Sequence, residues 1–580
     1  MFKLLPYLKN YKKECIIAPI FKLFEAILEL ILPTIMALVI NNGVMKHDTN
    51  YVIKMGIFMI GMACLGYCSS LVCQYLASKA SQGVGTELRN ELFIHMSSLS
   101  YAEIDDIGTS SLINRITNDV NQVQTAVAML LRLVSRAPFI CMGAIVMSMI
   151  LNLKLSLILF CTAPFFAIIL YLFMSRTAPM YKKYQKRLDD LGSILRENLM
   201  GVRVIRAFVK TNDESQRFDK SNDELSSAAI RIGKISALLN PLTSLVMNFA
   251  IIVLLWTGAV EINAGSMSPG VIITFINYIT QILLALLVVS NLIILFTKAS
   301  ASASRINEVL EMKSSIVENS NDISVNSSDK MIEFNDVTFR YSDSGESVLS
   351  DISFVINKGE TVGIIGGTGS GKSTMINLIP RFYDVMQGSV LVNNNDVRNY
   401  SLEELRKMIS LVPQKTELFT GTIAENLKFG NENASDDEIK KAAEIAQASE
   451  FISYLKDGYD TIVERGGANF SGGQKQRLSI ARALAKKSDI LILDDSSSAL
   501  DLATDAALRH AISDNFKDLT VIVVSQRSSS VKSCDKIIVF DDGKIAGFGK
   551  HDELIEQCEV YNEIVRSQLS DEEAAVSYEK

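Results

Sequence analysis

The chain has 580 residues, of which 48% are hydrophobic and 21% are charged, and its length exceeds what one hydrophobic core normally supports. The formal net charge is −7 without a dense basic stretch, which argues against nucleic acid as a partner. A mean hydropathy of +0.23 with an ordinary content of charge indicates a membrane part joined to a soluble part.

The N-terminal half contains six apolar stretches, each close to the ~20 residues that a helix needs to cross the hydrocarbon core. They cover residues 15–40, 56–77, 137–153, 155–174, 245–260 and 271–297. Basic residues are concentrated in the opening MFKLLPYLKNYKK and between the fourth and fifth stretches, whereas residues 261–270 carry no Lys or Arg. By the positive-inside rule we expect a multi-pass membrane protein with both termini and the soluble domain in the cytoplasm. We expect the membrane to be a bacterial plasma membrane.

Three ionisable residues, Lys22, Glu25 and Glu29, interrupt the first apolar stretch. Their spacing places them on one helix face, where Lys22 can pair with Glu25 and leave Glu29 less compensated. One interpretation is a cation-tolerant face of a substrate cavity that includes Glu25 and Glu29; the alternative is a face that only avoids lipid. The last stretch permits the same choice between cavity lining and helix packing at Asn277, Tyr278 and Gln281.

Helical apolar spacing with interleaved charge continues through residues 78–136 and 175–240, which predicts helices that extend well beyond the membrane. Residues 313–330, KSSIVENSNDISVNSSDK, are rich in Ser and Asn and lack apolar periodicity. This segment is therefore predicted to be a linker to a soluble domain.

The soluble part contains a glycine-rich phosphate-binding pattern. In TVGIIGGTGSGKSTMINLI, an apolar strand leads into a loop and a helix, and G-x-x-x-x-G-K-[ST] is matched by Gly366, Gly371, Lys372 and Ser373. Backbone N–H groups of such a loop surround phosphate oxygens, the lysine reaches the terminal phosphates, and the serine hydroxyl can ligate magnesium. We therefore predict a site for a nucleoside triphosphate with Mg²⁺.

Two later motifs extend this pattern. The strand DILILDD contains Asp494, the carboxylate expected near the metal of a P-loop NTPase. Upstream of it, NFSGGQKQRLSIARAL places Ser471, Gly472 and Gly473 at the start of a helix. A hydroxyl and backbone amides at a helix start suit a second phosphate-contacting surface.

In this order the motifs resemble those of ABC exporter half-transporters, and the resemblance covers nearly the whole chain. It implies an α-helical membrane domain of six transmembrane helices with long cytoplasmic extensions, followed by an α/β P-loop ATPase domain. The implied boundaries are 1–312 for the transmembrane domain, 313–330 for the linker, 331–568 for the nucleotide-binding domain and 569–580 for a C-terminal tail. Residues 101–108 and 208–214 look like coupling helices.

The resemblance also implies a role for each motif residue, since GGTGSGKST looks like the Walker A loop, LILDD like Walker B and FSGGQ like the signature motif. ATP would be bound by Tyr341 (adenine stacking), Gly366, Gly367, Thr368, Gly369, Ser370, Gly371, Lys372, Ser373, Thr374 and Gln414. Magnesium would be held by Ser373, Gln414 and Asp494. The signature motif, Ser471, Gly472, Gly473 and Gln474, would act on the ATP of a partner chain, with Asp501 in the D-loop.

The chain departs from the family pattern at two positions. The family usually has Glu after the Walker B aspartate and His in the switch, where this chain has Asp495 and Gln526. The Asp carboxylate is one methylene shorter, and misplacement by about 1 Å can cost ~10²-fold in rate. Gln can hydrogen-bond a phosphate but cannot exchange a proton as His can. Full activity with tolerated substitutions is the alternative interpretation.

In this family, two nucleotide-binding domains pack head to tail, and each ATP lies between the Walker motifs of one chain and the signature of the other. We therefore expect a heterodimer with a different half-transporter, in which this chain's Walker side hydrolyses ATP weakly or not at all. The expected activity is ATP-driven efflux of small amphipathic drugs from a lipid membrane. The alternatives are a lipid or peptide exporter and, from another class, an ATP-gated channel or regulatory membrane subunit.

Overall fold

The computed structural model describes residues 2–134, 136–318, 329–341 and 345–568. Two compact units are formed, one from Met1–Ser97 with Gly108–Met312 and one from Ser98–Ile107 with Lys313–Lys580. The predicted tail, 569–580, and residues 319–328 of the predicted linker lie outside the described residues.

Among the described residues, the first unit contains six helical spans that are long and apolar enough to cross a membrane. Spans 1 to 6 are Pro6–Val44, Thr49–Ser98, Thr109–Leu151, Leu153–Met200, Thr211–Asn263 and Pro269–Glu311. The six predicted apolar stretches fall within them, except that the third ends at Leu151 rather than at residue 153. Asn152 separates spans 3 and 4 because its extended backbone breaks the helix and its side chain caps the N–H groups of Lys154 and Leu155.

Spans 2 to 6 have 43 to 53 residues each, about twice the length needed to cross hydrocarbon, so the prediction of long extensions is confirmed. Their α-helical parts, with that of span 1, are Lys12–Leu38, Thr49–Ser98, Thr109–Asn114, Val120–Met129, Arg136–Leu151, Leu153–Met200, Thr211–Ala237, Leu239–Asn263 and Pro269–Glu311. A buried apolar cluster packs spans 1, 3, 4, 5 and 6 together through residues such as Leu30, Phe166 and Phe275.

Two short helices connect the spans, α1 (Tyr101–Ile107) and α2 (Val202–Ala207). Helix α1 matches the predicted stretch 101–108 and belongs to the second unit. The stretch 208–214 differs from its prediction, since a turn with Val209 at a φ of 56° leads directly into span 5. The short helix at this position is α2, which ends before that stretch begins.

The second unit is an α/β fold. Its strands are β1 (Lys330–Phe339), β2 (Leu349–Asn357), β3 (Thr361–Gly366), β4 (Gln387–Val392), β5 (Asn395–Asp396), β6 (Ile409–Val412), β7 (Gly421–Thr422), β8 (Ile462–Val463), β9 (Ile490–Asp494), β10 (Thr520–Val524), β11 (Lys536–Asp541) and β12 (Lys544–Gly549). Its helices after α1 are α3 (Lys372–Leu378), α4 (Leu402–Lys407), α5 (Ile423–Lys428), α6 (Asp436–Ile445), α7 (Ser449–Ser453), α8 (Gly472–Ala485), α9 (Leu502–Asn515), α10 (Ser528–Val531), α11 (His551–Gln557) and α12 (Glu559–Gln568).

The main sheet has six strands in the order β12-β11-β3-β10-β9-β6, parallel except for the β11–β12 pair. Strands β3, β9 and β10 are almost wholly buried, as expected for parallel strands covered on both faces. A smaller antiparallel sheet has the order β2-β1-β4-β5. The predicted combination of a six-helix membrane domain and an α/β domain is thereby confirmed.

Candidate nucleotide-binding site

The carboxyl ends of three neighbouring strands bring the predicted phosphate and metal residues together. Strand β3 ends at Gly366, β9 at Asp494 and β10 at Val524, and Val524 pairs with both Ile364 and Asp494 in the ladders. Ligands of open α/β sheets bind outside this edge. The strand order therefore gathers motifs that lie more than a hundred residues apart in the chain.

The loop between β3 and α3 has the backbone of a phosphate cradle. Gly369 and Gly371 have φ values of +83° and +98°, a region that side chains other than glycine rarely adopt. At Gly366 a Cβ would stand 2.3 Å from the carbonyl oxygen of Phe540, so this position needs glycine for space. The loop tip is exposed at Gly367 and Thr368, whereas Ser370 and Thr374 are buried at its two sides.

Lys372 folds back over this loop. Its Nζ donates hydrogen bonds to the carbonyl oxygens of Gly366 (2.9 Å) and Gly367 (2.6 Å). Burial lowers the pKa of the Lys372 ammonium, while the carboxylates of Asp495 and Asp494 act in the opposite direction. The cation is thus held by neutral acceptors, and the negative oxygens of a triphosphate are stronger partners for it.

The donor set beside the loop fits magnesium. Ser373 Oγ donates to Asp494 Oδ1 at 3.3 Å, and Gln414 Nε2 donates to Asp495 Oδ2 at 3.3 Å. Hydroxyl, carboxylate and amide oxygens are the hard ligands that Mg²⁺ prefers together with phosphates. Ser373, Asp494 and Gln414 would hold the ion, which would neutralise charge on the terminal phosphates.

Asp495 has a special backbone conformation. Its φ is +46°, its N–H donates to the Val524 carbonyl at 2.9 Å, and its carbonyl accepts from Ser498. Asp tolerates the left-handed region better than most residues with a Cβ. Burial raises the pKa of the Asp495 carboxyl, and the hydrogen bond from Gln414 opposes this. The Asp495 carboxylate acts on the Lys372 ammonium, as the Asp494 carboxylate does.

The switch position lies on the same sheet edge, because Ser525 and Gln526 directly follow β10. Gln526 is exposed. Its carbonyl oxygen accepts a 2.7 Å hydrogen bond from Gln568 Nε2. The backbone at this position is therefore fixed even though the side chain faces solvent.

Tyr341 stands beside the phosphate loop. Its hydroxyl lies 3.0 Å from Thr374 Oγ1, and its ring makes edge contacts with Phe339 (5.0 Å) and Tyr383 (5.2 Å between centroids). The side chain is 52% exposed, which leaves ring surface for a planar base. This geometry suits the adenine-stacking role implied by the resemblance.

The signature residues form the start of α8. Ser471 Oγ accepts from the N–H of Gln474 (3.3 Å), and Gln474 Oε1 accepts from the N–H of Ser471 (2.9 Å), which is a capping box. Ser471 and Gly472 are exposed, and a Cβ on Gly473 would stand 3.0 Å from the carbonyl oxygen of Ala499. This helix start is therefore open to a ligand outside the chain.

Asp501 is the N-cap of α9. Its Oδ1 accepts from the N–H of Thr504 (2.9 Å) and its Oδ2 from the Thr504 hydroxyl (2.8 Å). These hydrogen bonds lower the pKa of the Asp501 carboxyl. The D-loop position thus stabilises a helix in this chain, a structural role that its sequence context did not indicate.

The three ionisable residues that interrupt the first apolar stretch, Lys22, Glu25 and Glu29, are all paired. Lys22 Nζ lies 2.7 Å from Glu25 Oε2, as predicted from their spacing. Glu29 differs from its prediction, since Arg136 Nη2 lies 2.6 Å from Glu29 Oε2 and compensates its charge. A cavity of about 100 Å³ lies beside this pair and is also lined by Gln281.

The three polar residues singled out in span 6, Asn277, Tyr278 and Gln281, have different environments. Tyr278 is fully buried and its hydroxyl contacts the Leu30 carbonyl (2.8 Å) and the Thr34 hydroxyl (2.9 Å), so it packs spans 1 and 6 together. Asn277 donates to the Ile273 carbonyl of its own span. Only Gln281 of this group lies on the cavity beside Glu29.

Three contributing residues were missed by sequence analysis. Arg136 borders an apolar stretch and could have been noticed as an ionisable residue there, but its partner lies 107 positions away. Tyr383 and Gln568 carry no local signal, because their hydrogen-bond partners are brought to them only by the fold.

The family model of the ABC transporter transmembrane region matches residues 15–287, and a model described as ABC transporter matches residues 349–498. The chain is 39% identical over 572 residues to the uncharacterized ABC transporter ATP-binding protein YfiB of Bacillus subtilis (strain 168), with 99% of each chain covered.

A second relative and one solved structure are also similar over nearly the whole length. The ATP-dependent lipid A-core flippase of Vibrio vulnificus (strain YJ016) is 30% identical over 570 residues, covering 98% of this chain and 97% of the flippase. The structure of a bacterial Atm1-family ABC exporter with ATP bound superimposes with a TM-score of 0.79 at 22% identity, covering 97% of this chain and 99% of that one. The last comparison shows a shared fold.

Proposed function

Because this chain belongs to the ABC transporter family and carries its transmembrane region and its ATP-binding domain, we propose that it is one half of a heterodimeric efflux pump. The pump would export small amphipathic compounds across the bacterial plasma membrane. The heterodimer is proposed because this chain has Asp495 and Gln526 at positions where the family usually has Glu and His. The membrane orientation follows from the distribution of basic residues.

The Walker side of this chain retains the groups that bind and lacks those that activate water. Lys372, Ser373 and Asp494 converge at one sheet edge and fit a magnesium triphosphate. The carboxylate of Asp495 is short, and the amide of Gln526 cannot carry a proton. This combination favours a site that holds ATP for long periods and turns it over slowly.

The signature side is intact and exposed. Because the family packs its nucleotide-binding domains head to tail, Ser471 and the N–H groups at the start of α8 would contact ATP on the partner. A homodimer would contain two weakened sites. A partner with Glu and His at the matching positions would supply one fully competent site, which this chain's signature completes.

In the proposed cycle, ATP closes the two nucleotide-binding domains and the membrane helices change from inward-facing to outward-facing. ATP that persists at this chain's Walker site biases the equilibrium only by binding the closed state more tightly than the open state. Hydrolysis at the competent site then returns the transporter to its resting conformation.

The compensated charges of the membrane unit support an amphipathic substrate rather than a strictly cationic one. Glu25 and Glu29 are both paired, so the face that they share has polarity without net charge. Lipid export is the second candidate function, favoured by the similarity to a lipid A-core flippase. Both candidates require a ligand with a polar and an apolar end.

Purification of the tagged chain from its native membrane in mild detergent tests the heterodimer. We expect a second ABC chain in equal amount, with Glu and His at the positions of Asp495 and Gln526, identified by mass spectrometry. A preparation that contains this chain alone as a homodimer would overturn the proposal. A separate experiment distinguishes the two substrate classes. Inside-out vesicles are supplied with ATP and either a drug or a labelled lipid, and the compound whose uptake is ATP-dependent and inhibited by vanadate identifies the class.

A further inference from the structure

The last helix of the α/β unit holds the loop that carries the switch residue. Gln568, at the end of α12, donates from Nε2 to the carbonyl oxygen of Gln526 at 2.7 Å. Its Oε1 accepts from the N–H of Ser528 at 2.7 Å. One amide group therefore brackets the backbone on both sides of Arg527.

The loop depends on this outside support because the following helix lacks a cap of its own. Arg527 is the N-cap residue of α10 and makes no side-chain hydrogen bond to the helix start. The first N–H groups of a helix have no partner within the helix and must find one elsewhere. Gln568 supplies that acceptor for Ser528 from a position 40 residues later in the chain.

The other side of the loop is tied to the residues that follow Walker B. The Nη1 of Arg527 contacts the carbonyl oxygens of Ser497 and Leu500 at 3.4 Å each, and its backbone N–H donates to Ser525 Oγ at 3.0 Å. The backbone at Gln526 thus lies between the segment 497–500 and helix α12. Displacement of either support would move the switch side chain.

Helix α12 is well anchored and packs on α10. Tyr561 is fully buried, and its hydroxyl lies 2.7 Å from His551 Nδ1. Ile564 and Val565 pack against the apolar cluster that contains Val531 of α10. The helix that carries Gln568 and the helix that follows the switch therefore share one core.

We propose that Gln568 is a positioning residue for the switch, through which α12 sets how long this chain's Walker site retains ATP. Its two hydrogen bonds place the Gln526 backbone, and the backbone places the side chain beside the nucleotide. The proposal rests on the assignment of Gln526 to the switch and holds for a homodimer as well as a heterodimer, so its failure would not affect the proposed pairing.

The test measures nucleotide retention in the purified full-length transporter, with whatever partner accompanies it. Radiolabelled 8-azido-ATP is bound with Mg²⁺, chased with unlabelled ATP and crosslinked by light at intervals, and the label on this chain is quantified. Gln568→Met keeps the length of the side chain but removes both hydrogen bonds, and because residue 568 is exposed it leaves no cavity. We expect a half-time of release shorter by about fivefold.

Three further variants make the result specific. Ser567→Ala is the matched control, since among the described residues this neighbouring hydroxyl bonds to Ile564 of its own helix, and its half-time should equal that of the wild type. Gln568→Glu keeps the acceptor for Ser528 but directs a carboxylate oxygen at the Gln526 carbonyl, so it should release ATP faster than the wild type. In a Gln526→Ala background, Gln568→Met should have no additional effect, because its action passes through residue 526.

Two outcomes would overturn the proposal. One is a half-time for Gln568→Met equal to that of Ser567→Ala, even if the melting temperature falls, because the residue would then only stabilise the fold. The other is an undiminished effect of Gln568→Met in the Gln526→Ala background, which would show that it acts by another route.

Discussion

The hydroxyl of Tyr383 donates a 2.7 Å hydrogen bond to Asp105 Oδ2. Asp105 lies in α1, the short helix between spans 2 and 3 that belongs to the α/β unit, and Tyr101 of the same helix lies 4.5 Å from Phe382, ring to ring. The ring of Tyr383 also contacts Tyr341, the adenine-stacking candidate, edge to face. A continuous set of contacts therefore joins the nucleotide site to α1.

Removal of the Tyr383 hydroxyl should weaken coupling between ATP binding and transport. Tyr383→Phe keeps the ring contact with Tyr341, so ATP affinity should stay within about twofold, while the lost bond to a carboxylate is worth on the order of 1 kcal/mol. We expect ATP-dependent uptake of the transported compound by inside-out vesicles to be several-fold slower. Asp105→Ala should have a similar effect, and the double variant should be no worse than either single one. Additive losses would show that the two residues act separately.

Loss of the phosphate-loop lysine should abolish ATP binding at this chain's site. In Lys372→Ala the cation that faces the terminal phosphates is missing, and charge-assisted hydrogen bonds are roughly twice as strong as neutral ones. Photolabelling of this chain by azido-ATP is the measurement. Lys358→Ala, at an exposed lysine of the same unit, is the matched control and should label normally. Undiminished labelling of Lys372→Ala would count against the Walker A assignment.

Restoration of the two family residues should raise ATP turnover. The double variant Asp495→Glu with Gln526→His returns a longer carboxylate and a proton-exchanging group to the site. Because residue 495 has a φ of +46°, a conformation that Asp adopts more readily than Glu, the substitution should lower the free energy of unfolding by roughly 1 kcal/mol. We therefore expect a higher ATPase rate with a slightly lower melting temperature. An unchanged rate would show that the partner's signature also limits this site.

Blocking the signature should impair the partner's site more than this chain's own. Ser471→Arg puts a bulky cation at the exposed start of α8 and removes an N-cap worth about 1 kcal/mol. Ser435→Arg is a close control, because Ser435 caps α6 with the same capping box and the same 3.3 Å hydrogen bond. Total ATPase activity should fall strongly only for Ser471→Arg. Equal, small effects of both variants would contradict the crossed-site arrangement.

The ion pair of the membrane unit should be more sensitive to loss of the cation than to neutralisation of the acid. Arg136→Ala leaves the Glu29 carboxylate without its partner in a half-buried site, which should cost about 1–2 kcal/mol of stability. Glu29→Gln keeps a hydrogen-bond acceptor for Arg136 and should cost less. Melting temperatures in lipid nanodiscs would rank the two variants. If Glu29→Gln lowered the melting temperature more than Arg136→Ala, Arg136 would not be the main partner of Glu29.

Much of the architecture was predictable because its signals are local. Apolar stretches of about twenty residues and the G-x-x-x-x-G-K-[ST] loop are contiguous patterns, and they correctly predicted six spans and an α/β domain. Even the Lys22–Glu25 pair follows from helical spacing alone. One coupling-helix position was less accurate, because the turn at Val209 and the helix at Val202–Ala207 are separated by only a few residues.

The sequence alone identifies the chemical groups of the site: the residues of a glycine-rich phosphate-binding pattern, Asp495 and Gln526 where the family usually has Glu and His, and Ser471, Gly472 and Gly473 of the predicted signature motif. Tertiary structure alone decided which distant groups meet: Arg136 with Glu29, Tyr383 with Asp105, and Gln568 with the switch backbone. The physical reason is that periodicity and turn chemistry act between neighbours in the chain. A hydrogen bond or ion pair between remote residues depends on how strands and helices pack, which no short window of sequence encodes.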